Sequence, residues 1–263
     1  MTRVLWSLLA GALLAPCAEP PIPVLILTGA SDFPGHDWRA TTAKIREILE
    51  QSGRFTAEVA EKVPGLKEKD LKQYRALILN YNGPRWSAET ERAVERFVRS
   101  GRGFVSLHGV TYGVFYGQQK INNRWVASPN GDKGWPAYPD LIGATWKPEN
   151  IGHGARHVFR VRWTDREHPI AKGLPESFEA DDELYHRLDL RPQAKVLAVA
   201  YSDPKTRGTG RDEPIIWCMP FGRGRAAHMT LGHDVKAYAQ AGVAQALSRI
   251  VEWAATGRVA GPR

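Results

Sequence analysis

Short apolar runs bounded by glycine or polar residues alternate along the chain with segments of helical periodicity. Runs of this kind are typical of buried strands in a parallel sheet. They predict strands at residues 24–27, 76–79, 104–107, 158–161, 196–199, 215–218 and 226–231. Between the strands, apolar residues three or four positions apart predict amphipathic helices, for example around Ile45 and Leu49 and around Leu247 and Val251.

This alternation predicts an α/β fold of three layers, a mostly parallel sheet with helices on both faces, because each parallel return needs a crossover. A length of 263 residues and a hydrophobic content of 43% suit one such domain, which we place at residues 22–257. Ligands of open α/β sheets bind outside the carboxyl ends of the strands. We therefore expect the loops that follow the strands to converge on one crevice. They lie at residues 28–38, 80–85, 108 and 232–234.

Residues 110–157 break the pattern, because they show no periodicity and are rich in glycine, asparagine, proline and aromatic residues. A long loop inside a compact domain is commonly a lid or a binding loop. Several tryptophans fall outside the predicted strands and helices, namely Trp38, Trp86, Trp125, Trp135 and Trp146. Indole rings stack well on sugar rings, so these residues favour a small carbohydrate ligand, although core packing explains each of them individually.

The first 18 residues have the features of a secretory signal peptide, with Arg3 followed by an apolar stretch at residues 4–15. The stretch is too short to span a membrane comfortably, and a buried N-terminal helix is the alternative. We expect a periplasmic or secreted protein without a membrane span after leader removal. Leader removal near Cys17 would leave Cys218 as the one thiol, so we expect no internal disulfide. Cys218 lies in an apolar run, where a cysteine usually acts as a small core residue.

The net charge of +8 is spread along the chain without a basic run or a nucleic-acid motif, so we predict no nucleic-acid partner.

The predicted strand at 104–107 ends directly in His108 and Gly109. A side chain at such a strand-to-helix turn is held above the sheet, as in the nucleophile elbow. Because an imidazole stands where a hydrolase would carry serine or cysteine, acyl-enzyme chemistry at this position is not expected.

Imidazoles and carboxylates are the groups expected in the crevice. His36, His108 and His233 follow predicted strands, and an acidic segment at residues 181–183 could join them there. Such a set could hold a divalent metal such as zinc, or could form a general acid/base pair. For the acidic segment itself, a solvated turn is the alternative.

Five motifs resemble the ThuA-like family, which is associated with trehalose utilisation. They are VLILTG with the following GHDW, GRGFVSLHG, HPIAKGL, FEADDELYH and PIIWCMPFGRGRAAHMTLGHD. The resemblance implies a flavodoxin-like sheet of the class I glutamine amidotransferase type, with His108 in place of the amidotransferase cysteine and His233 near its catalytic histidine. Ammonia release from glutamine is therefore not expected. The family often has three glycines before this strand, whereas here Arg102 stands between two.

The resemblance also points to carbohydrate catabolism, in particular to keto-sugars and 3-keto-glycosides. We predict an exported enzyme in which His108 is a base or metal ligand and Glu183 is the second acid/base group. His36 and His233 would be ligands or oxyanion donors. The predicted substrate-binding residues are Trp38, Asn80, Tyr81, Tyr112, Asp182, His186 and Asp234, of which Asp182 and Asp234 would also orient imidazoles. A non-catalytic periplasmic carbohydrate-binding protein and a metal-dependent hydrolase are the alternatives, and the oligomeric state is left open.

Overall fold

The structure of the protein is a computed structural model that describes residues 19–33 and 35–260. The predicted signal peptide, residues 1–18, lies outside the described residues, so export stays a prediction. Within the described ranges, no helix combines the length and the apolar character needed to cross a membrane.

The described chain contains 13 strands and six α-helices. The strands are β1 (Ile22–Leu27), β2 (Phe55–Ala60), β3 (Ala76–Leu79), β4 (Gly103–Leu107), β5 (Gln118–Ile121), β6 (Arg124–Ala127), β7 (Ala144–Thr145), β8 (His157–Trp163), β9 (Ser177–Asp182), β10 (Asp189–Leu190), β11 (Lys195–Tyr201), β12 (Asp212–Phe221) and β13 (Gly224–Met229). The helices are α1 (Trp38–Gln51), α2 (Glu68–Leu71), α3 (Ala88–Arg99), α4 (Tyr138–Ile142), α5 (Val235–Tyr238) and α6 (Ala241–Thr256).

Nine strands form the central sheet, in the order β2-β1-β3-β4-β13-β12-β11-β8-β9. The first five strands pair in parallel, as the alternation of strands and helices predicts. The last four extend the sheet by antiparallel pairing, which the sequence pattern did not indicate. Two reversals return β11 to the direction of β4, and two more do the same for β9. The carboxyl end of β9 therefore lies at the same edge of the sheet as the carboxyl ends of the parallel strands.

The alternation of side chains across the parallel strands divides the core into two layers. Val24 and Ile26 of β1 pack with α1 and α6 on one face, whereas Leu25 and Leu27 pack with α3 and α4 on the other. This two-sided burial explains why the inner strands β1, β3 and β4 are mainly apolar, because both faces are covered by helices. The edge strand β2 instead alternates buried and exposed residues, and the sequence pattern did not indicate it as an apolar run. The predicted three-layer α/β class is confirmed.

Two predictions about loops are wrong. Residues 110–157 are not a structureless loop, because they contain the β5–β6 hairpin, helix α4 and strand β7. The alternative of a solvated turn for the acidic segment is excluded, because residues 181 and 182 end strand β9 and Asp182 is completely buried. Trp38, predicted to lie in a loop, is the first residue of α1.

The buried imidazole of His228 on β13 makes the stability of the fold dependent on pH. Its Nδ1 lies 2.8 Å from the Ser106 hydroxyl and its ring stacks on Trp217, with no exposure to solvent. Burial lowers the pKa of His228 to about 3. In the unfolded chain an exposed histidine titrates near its usual pKa of about 6.5, so the unfolded state binds more protons between these values.

We therefore expect the free energy of unfolding to fall as pH drops from about 6.5 towards 3, by up to about 1.4 kcal/mol per pH unit from this group. Urea unfolding of the wild type and of His228→Gln across this range measures the effect. The variant is expected to be less stable at neutral pH but to lose less stability on acidification. Parallel pH dependences in the two proteins would contradict this assignment.

Candidate functional site

Three imidazoles and one carboxylate converge at the carboxyl edge of the sheet. His36, His108, Glu183 and His233 each place one nitrogen or oxygen within 4.8 Å of the others. We refer to these four residues as the histidine cluster. They follow β1, β4, β9 and β13, so four segments distant in sequence meet because the carboxyl ends of their strands share one edge.

His108 forms the floor of the cluster. It is in the left-handed region with φ of 47°, an unfavourable conformation for a residue with a side chain, and its exposure is only 5%. Its Nδ1 lies 2.8 Å from the carbonyl oxygen of Thr230, so this nitrogen carries the proton and donates it. Its Nε2 is then an acceptor, and the hydroxyl of Tyr185 donates to it at 2.9 Å. Each nitrogen of the buried ring therefore has a polar partner, and the rings of His36, Tyr185 and His233 lie within 5.4 Å of it.

His36 is held by a carboxylate that sequence reasoning missed. Its Nδ1 lies 3.3 Å from Oδ1 of Asp32, and the hydroxyl of Tyr112 donates to Oδ2 of the same residue at 3.1 Å. The available signal was the position of Asp32 in the polar loop after β1, four residues before His36. Asp32 thus orients His36 and links it to Tyr112.

Asp182 fixes the position of the backbone at Gly232 and His233. Its buried carboxylate accepts hydrogen bonds from the backbone N–H of Gly232 at 2.7 Å, of His233 at 3.4 Å and of Glu183 at 2.8 Å. Burial raises its pKa to about 6, although the three N–H groups favour the charged form. Asp182 therefore connects the end of β9 to the loop after β13 through the backbone and does not contact the imidazole of His233 by a hydrogen bond.

The surroundings drive the pKa values of the cluster apart. Burial, together with the neighbouring His36, lowers the pKa of His108 well below its usual value. Contact with Glu183, whose Oε2 lies 3.3 Å away, raises the pKa of His233. Burial would raise the pKa of Glu183, but His233, His108 and His153 outweigh it and lower the pKa to about 2. The cluster thus combines a charged carboxylate with a neutral imidazole, an arrangement suited to proton transfer.

A cavity of about 190 Å³ opens beside the cluster. Aromatic and charged side chains line it, including Tyr112, Trp125, Trp146, Tyr185, Lys120 and His153 together with His36, Glu183 and His233. A second cavity of about 30 Å³ lies against His36, His108 and His233 and is lined by Trp38, Asn80 and Tyr81 among others. The larger cavity has room for part of a small polar ligand and gives it access to Glu183.

The predicted substrate-binding residues divide into three groups by position. Tyr112 lines the larger cavity, and Trp38, Asn80 and Tyr81 line the smaller one. The Asn80 amide donates to the hydroxyls of Thr41 and Thr42, which fixes it against α1. Asp182, His186 and Asp234 line neither cavity. Asp234 instead caps α5 and forms an ion pair with Arg156 at 2.6 Å.

Replacement of Asp182 tests its structural support of the cluster. Asp182→Asn places an amide donor among backbone donors, so at least one buried N–H loses its acceptor. We expect the free energy of unfolding at pH 8 to fall by about 1–3 kcal/mol. Asp212→Asn removes an exposed ion pair with Arg162 and is the matched control, expected to cost less than about 1 kcal/mol. Equal losses in urea unfolding would show that Asp182 has no special role.

Comparisons with known proteins agree with this architecture. A ThuA-like protein from Parabacteroides merdae superimposes with a TM-score of 0.76 at 28% sequence identity, covering 92% of each chain. A ThuA-like protein from Bacteroides uniformis does so with a TM-score of 0.67 at 20% identity, covering 91% of this chain and 94% of that one. A β-galactosidase from Bacillus circulans matches 88% of this chain with 30% of its own, at 16% identity and a TM-score of 0.55, which shows a shared fold only.

No curated protein sequence matches the chain. The sequence profile of the ThuA family, described as trehalose utilisation, matches residues 23–254. The match includes every strand from β2 to β13 and all four residues of the histidine cluster. The chain therefore belongs to the ThuA family.

Proposed function

We propose that the protein is an enzyme that cleaves a keto-sugar or an oxidised disaccharide by acid/base chemistry at the histidine cluster. The observation that carries the proposal is the convergence of a charged carboxylate and three imidazoles beside a cavity lined by aromatic side chains. Membership of a family described by trehalose utilisation supports a carbohydrate substrate. Aromatic faces with a few polar groups are typical of sugar-binding sites.

A ketone in the sugar ring makes the proposed reaction accessible to these residues. It acidifies the C–H bond of the neighbouring carbon, so a base can remove that proton and leave an enolate. The electron pair of the enolate then forms a carbon–carbon double bond as the glycosidic C–O bond on the next carbon breaks. The departing oxygen takes a proton from an acid. The step is an elimination, and general acid/base catalysis of this kind typically contributes a factor of about 10²–10⁴ in rate.

Three residues supply the groups that this elimination needs. Glu183 borders the larger cavity and is the proton acceptor. His233, 3.3 Å from Glu183, is the partner that returns a proton to the leaving oxygen. His108 accepts from the hydroxyl of Tyr185 and so positions that hydroxyl at the cavity wall, where its oxygen can accept a hydrogen bond from a substrate hydroxyl.

Replacement of the acid/base groups tests the proposal. Glu183→Gln and His108→Ala should each lower the turnover of 3-keto-trehalose by at least about 100-fold, because each loses a group needed for proton transfer or its positioning. His157→Ala is the matched control, since this imidazole contacts the carbonyl of Ala155 away from the cluster, and it should leave turnover unchanged. Substrate consumption is followed by NMR, and circular dichroism confirms folding.

Undiminished turnover in either variant would reject the proposed roles. If the wild type binds trehalose or 3-keto-trehalose but leaves both unaltered over a long incubation, the protein is a carbohydrate-binding protein and not an enzyme. Turnover of esters or amides in place of keto-sugars would support the hydrolase alternative.

The aromatic wall gives a second test, which separates binding from chemistry. Trp125 on the β5–β6 hairpin packs against Tyr112 with ring centroids 5.5 Å apart and faces the larger cavity. Loss of its stacking in Trp125→Ala should raise KM for 3-keto-trehalose by about 3–10-fold and change kcat little. Arg124→Ala, on the same hairpin but outside this cavity, should leave both constants unchanged. A lower kcat at constant KM would contradict a binding role.

A further inference from the structure

Hydrogen bonding fixes which nitrogen of two cluster imidazoles is available to a ligand. A carbonyl oxygen can only accept, so Nδ1 of His108 donates to Thr230 and Nε2 carries the lone pair. Nδ1 of His36 likewise donates to the carboxylate of Asp32, which leaves Nε2 of that ring as the lone-pair nitrogen. The lone pairs of these two nitrogens and the Glu183 carboxylate thus face one small space. A cation there would accept the lone pairs and balance the carboxylate charge.

In the third imidazole, that of His233, Nδ1 lacks a hydrogen-bonding partner in the described part of the chain. Nδ1 of His233 is inaccessible to solvent and makes no hydrogen bond to any described residue, although Oε2 of Glu183 lies 3.3 Å away. A buried polar atom without a partner is costly in a folded protein, so it calls for an explanation. A metal ion bonded to this nitrogen would supply one.

The spacing of the three rings fits one metal ion. The ring centroids are 5.1 Å apart for His36 and His108, 4.9 Å for His36 and His233, and 5.4 Å for His108 and His233. A zinc ion about 2.0 Å from a ligating nitrogen lies about 3.2 Å from the ring centroid, so tetrahedral ligands would have centroids about 5.2 Å apart. The observed rings lie at this separation, with interplanar angles of 76–89°.

We propose that the histidine cluster binds one divalent transition-metal ion of the zinc class through His36, His108 and His233. Three protein ligands leave a fourth position open, the pattern of catalytic rather than structural zinc sites. Glu183 lies beside that position, 3.3 Å from His233 and 3.7 Å from Nε2 of His108. Asp32 orients the His36 ring, and a carboxylate behind a ligating histidine is a recurrent feature of zinc sites.

The metal site deepens the proposed function and rests on it for its chemical role. A bound ion would polarise the ketone oxygen of the substrate and stabilise the enolate charge. With the ion bound, His233 would be a ligand rather than the acid, and Glu183 would pass the proton that it has accepted to the leaving oxygen. The hydroxyl of Tyr185 now donates to Nε2 of His108, so metal binding requires this hydrogen bond to break. Tyr185 is therefore a competitor of the metal for this nitrogen.

Metal titration without any sugar tests the site. Protein without a histidine tag is stripped with a chelator and titrated with zinc chloride by calorimetry, and elemental analysis after dialysis gives the stoichiometry. We expect one equivalent per chain for the wild type and at least about 100-fold weaker binding for His36→Ala, His108→Ala and His233→Ala. His157→Ala, the matched surface control, should bind like the wild type. Asp32→Asn should weaken binding by about 10–100-fold.

Two further measurements keep the inference testable if a histidine variant fails to fold. Cobalt(II) bound to the wild type should show the visible absorption of a four- or five-coordinate site with nitrogen and oxygen ligands. Tyr185→Phe should bind zinc at least as tightly as the wild type, because the competing hydrogen bond is removed. Absence of stoichiometric binding, or binding that folded histidine variants retain, would overturn the proposal.

The metal site and the sugar reaction can fail separately. Stoichiometric zinc binding without conversion of 3-keto-trehalose would retain the site and reject the proposed reaction. Turnover by metal-free protein, unchanged when zinc is added, would retain the reaction and reject a catalytic metal.

Discussion

The hydrogen bond between Nδ1 of His108 and the carbonyl of Thr230 is the interaction on which the site depends. It links the ends of β4 and β13, which lie side by side at the centre of the sheet. It also sets the tautomer of the imidazole, so that Nε2 faces its other neighbours as an acceptor. The strained φ of His108 is tolerated because this bond and the packing of Tyr185 against the ring hold the residue in place.

The mixed topology of the sheet explains how the carboxylate reaches the imidazoles. Four antiparallel strands follow the parallel half, and the four reversals bring the carboxyl end of β9 to the same edge as β4 and β13. The buried Asp182 then bridges this strand end to the backbone of Gly232 and His233. Glu183, the next residue, is thereby placed among three imidazoles. The five parallel strands alone would place the three histidines at this edge, but they would not bring Glu183 to them.

The parts of the fold that repeat a simple rule could be predicted from the sequence. The inner parallel strands β1, β3 and β4 are apolar runs because helices cover both faces, and the loops after the parallel strands converge because carboxyl ends share an edge. Strand β9 was missed because its sequence is acidic rather than apolar. Asp182 can be buried because backbone N–H groups donate hydrogen bonds to its carboxylate, and the residue pattern does not reveal these bonds. The β5–β6 hairpin was missed although Asn122 and Asn123, both with positive φ, form the type of two-residue turn that joins such strands. The pairing of Asp32 with His36 depends on loop geometry, which periodicity does not describe.

The tautomeric state of the cluster imidazoles is the most direct test of this account. Long-range proton–nitrogen NMR spectra of ¹⁵N-labelled protein distinguish a protonated from an unprotonated ring nitrogen, and single histidine variants assign the signals. In the metal-free protein we expect a protonated Nδ1 and an unprotonated Nε2 for both His36 and His108, and shifts of both Nε2 signals on addition of one equivalent of zinc. Protonation of Nε2 in His108, with no response of either ring to zinc, would contradict it.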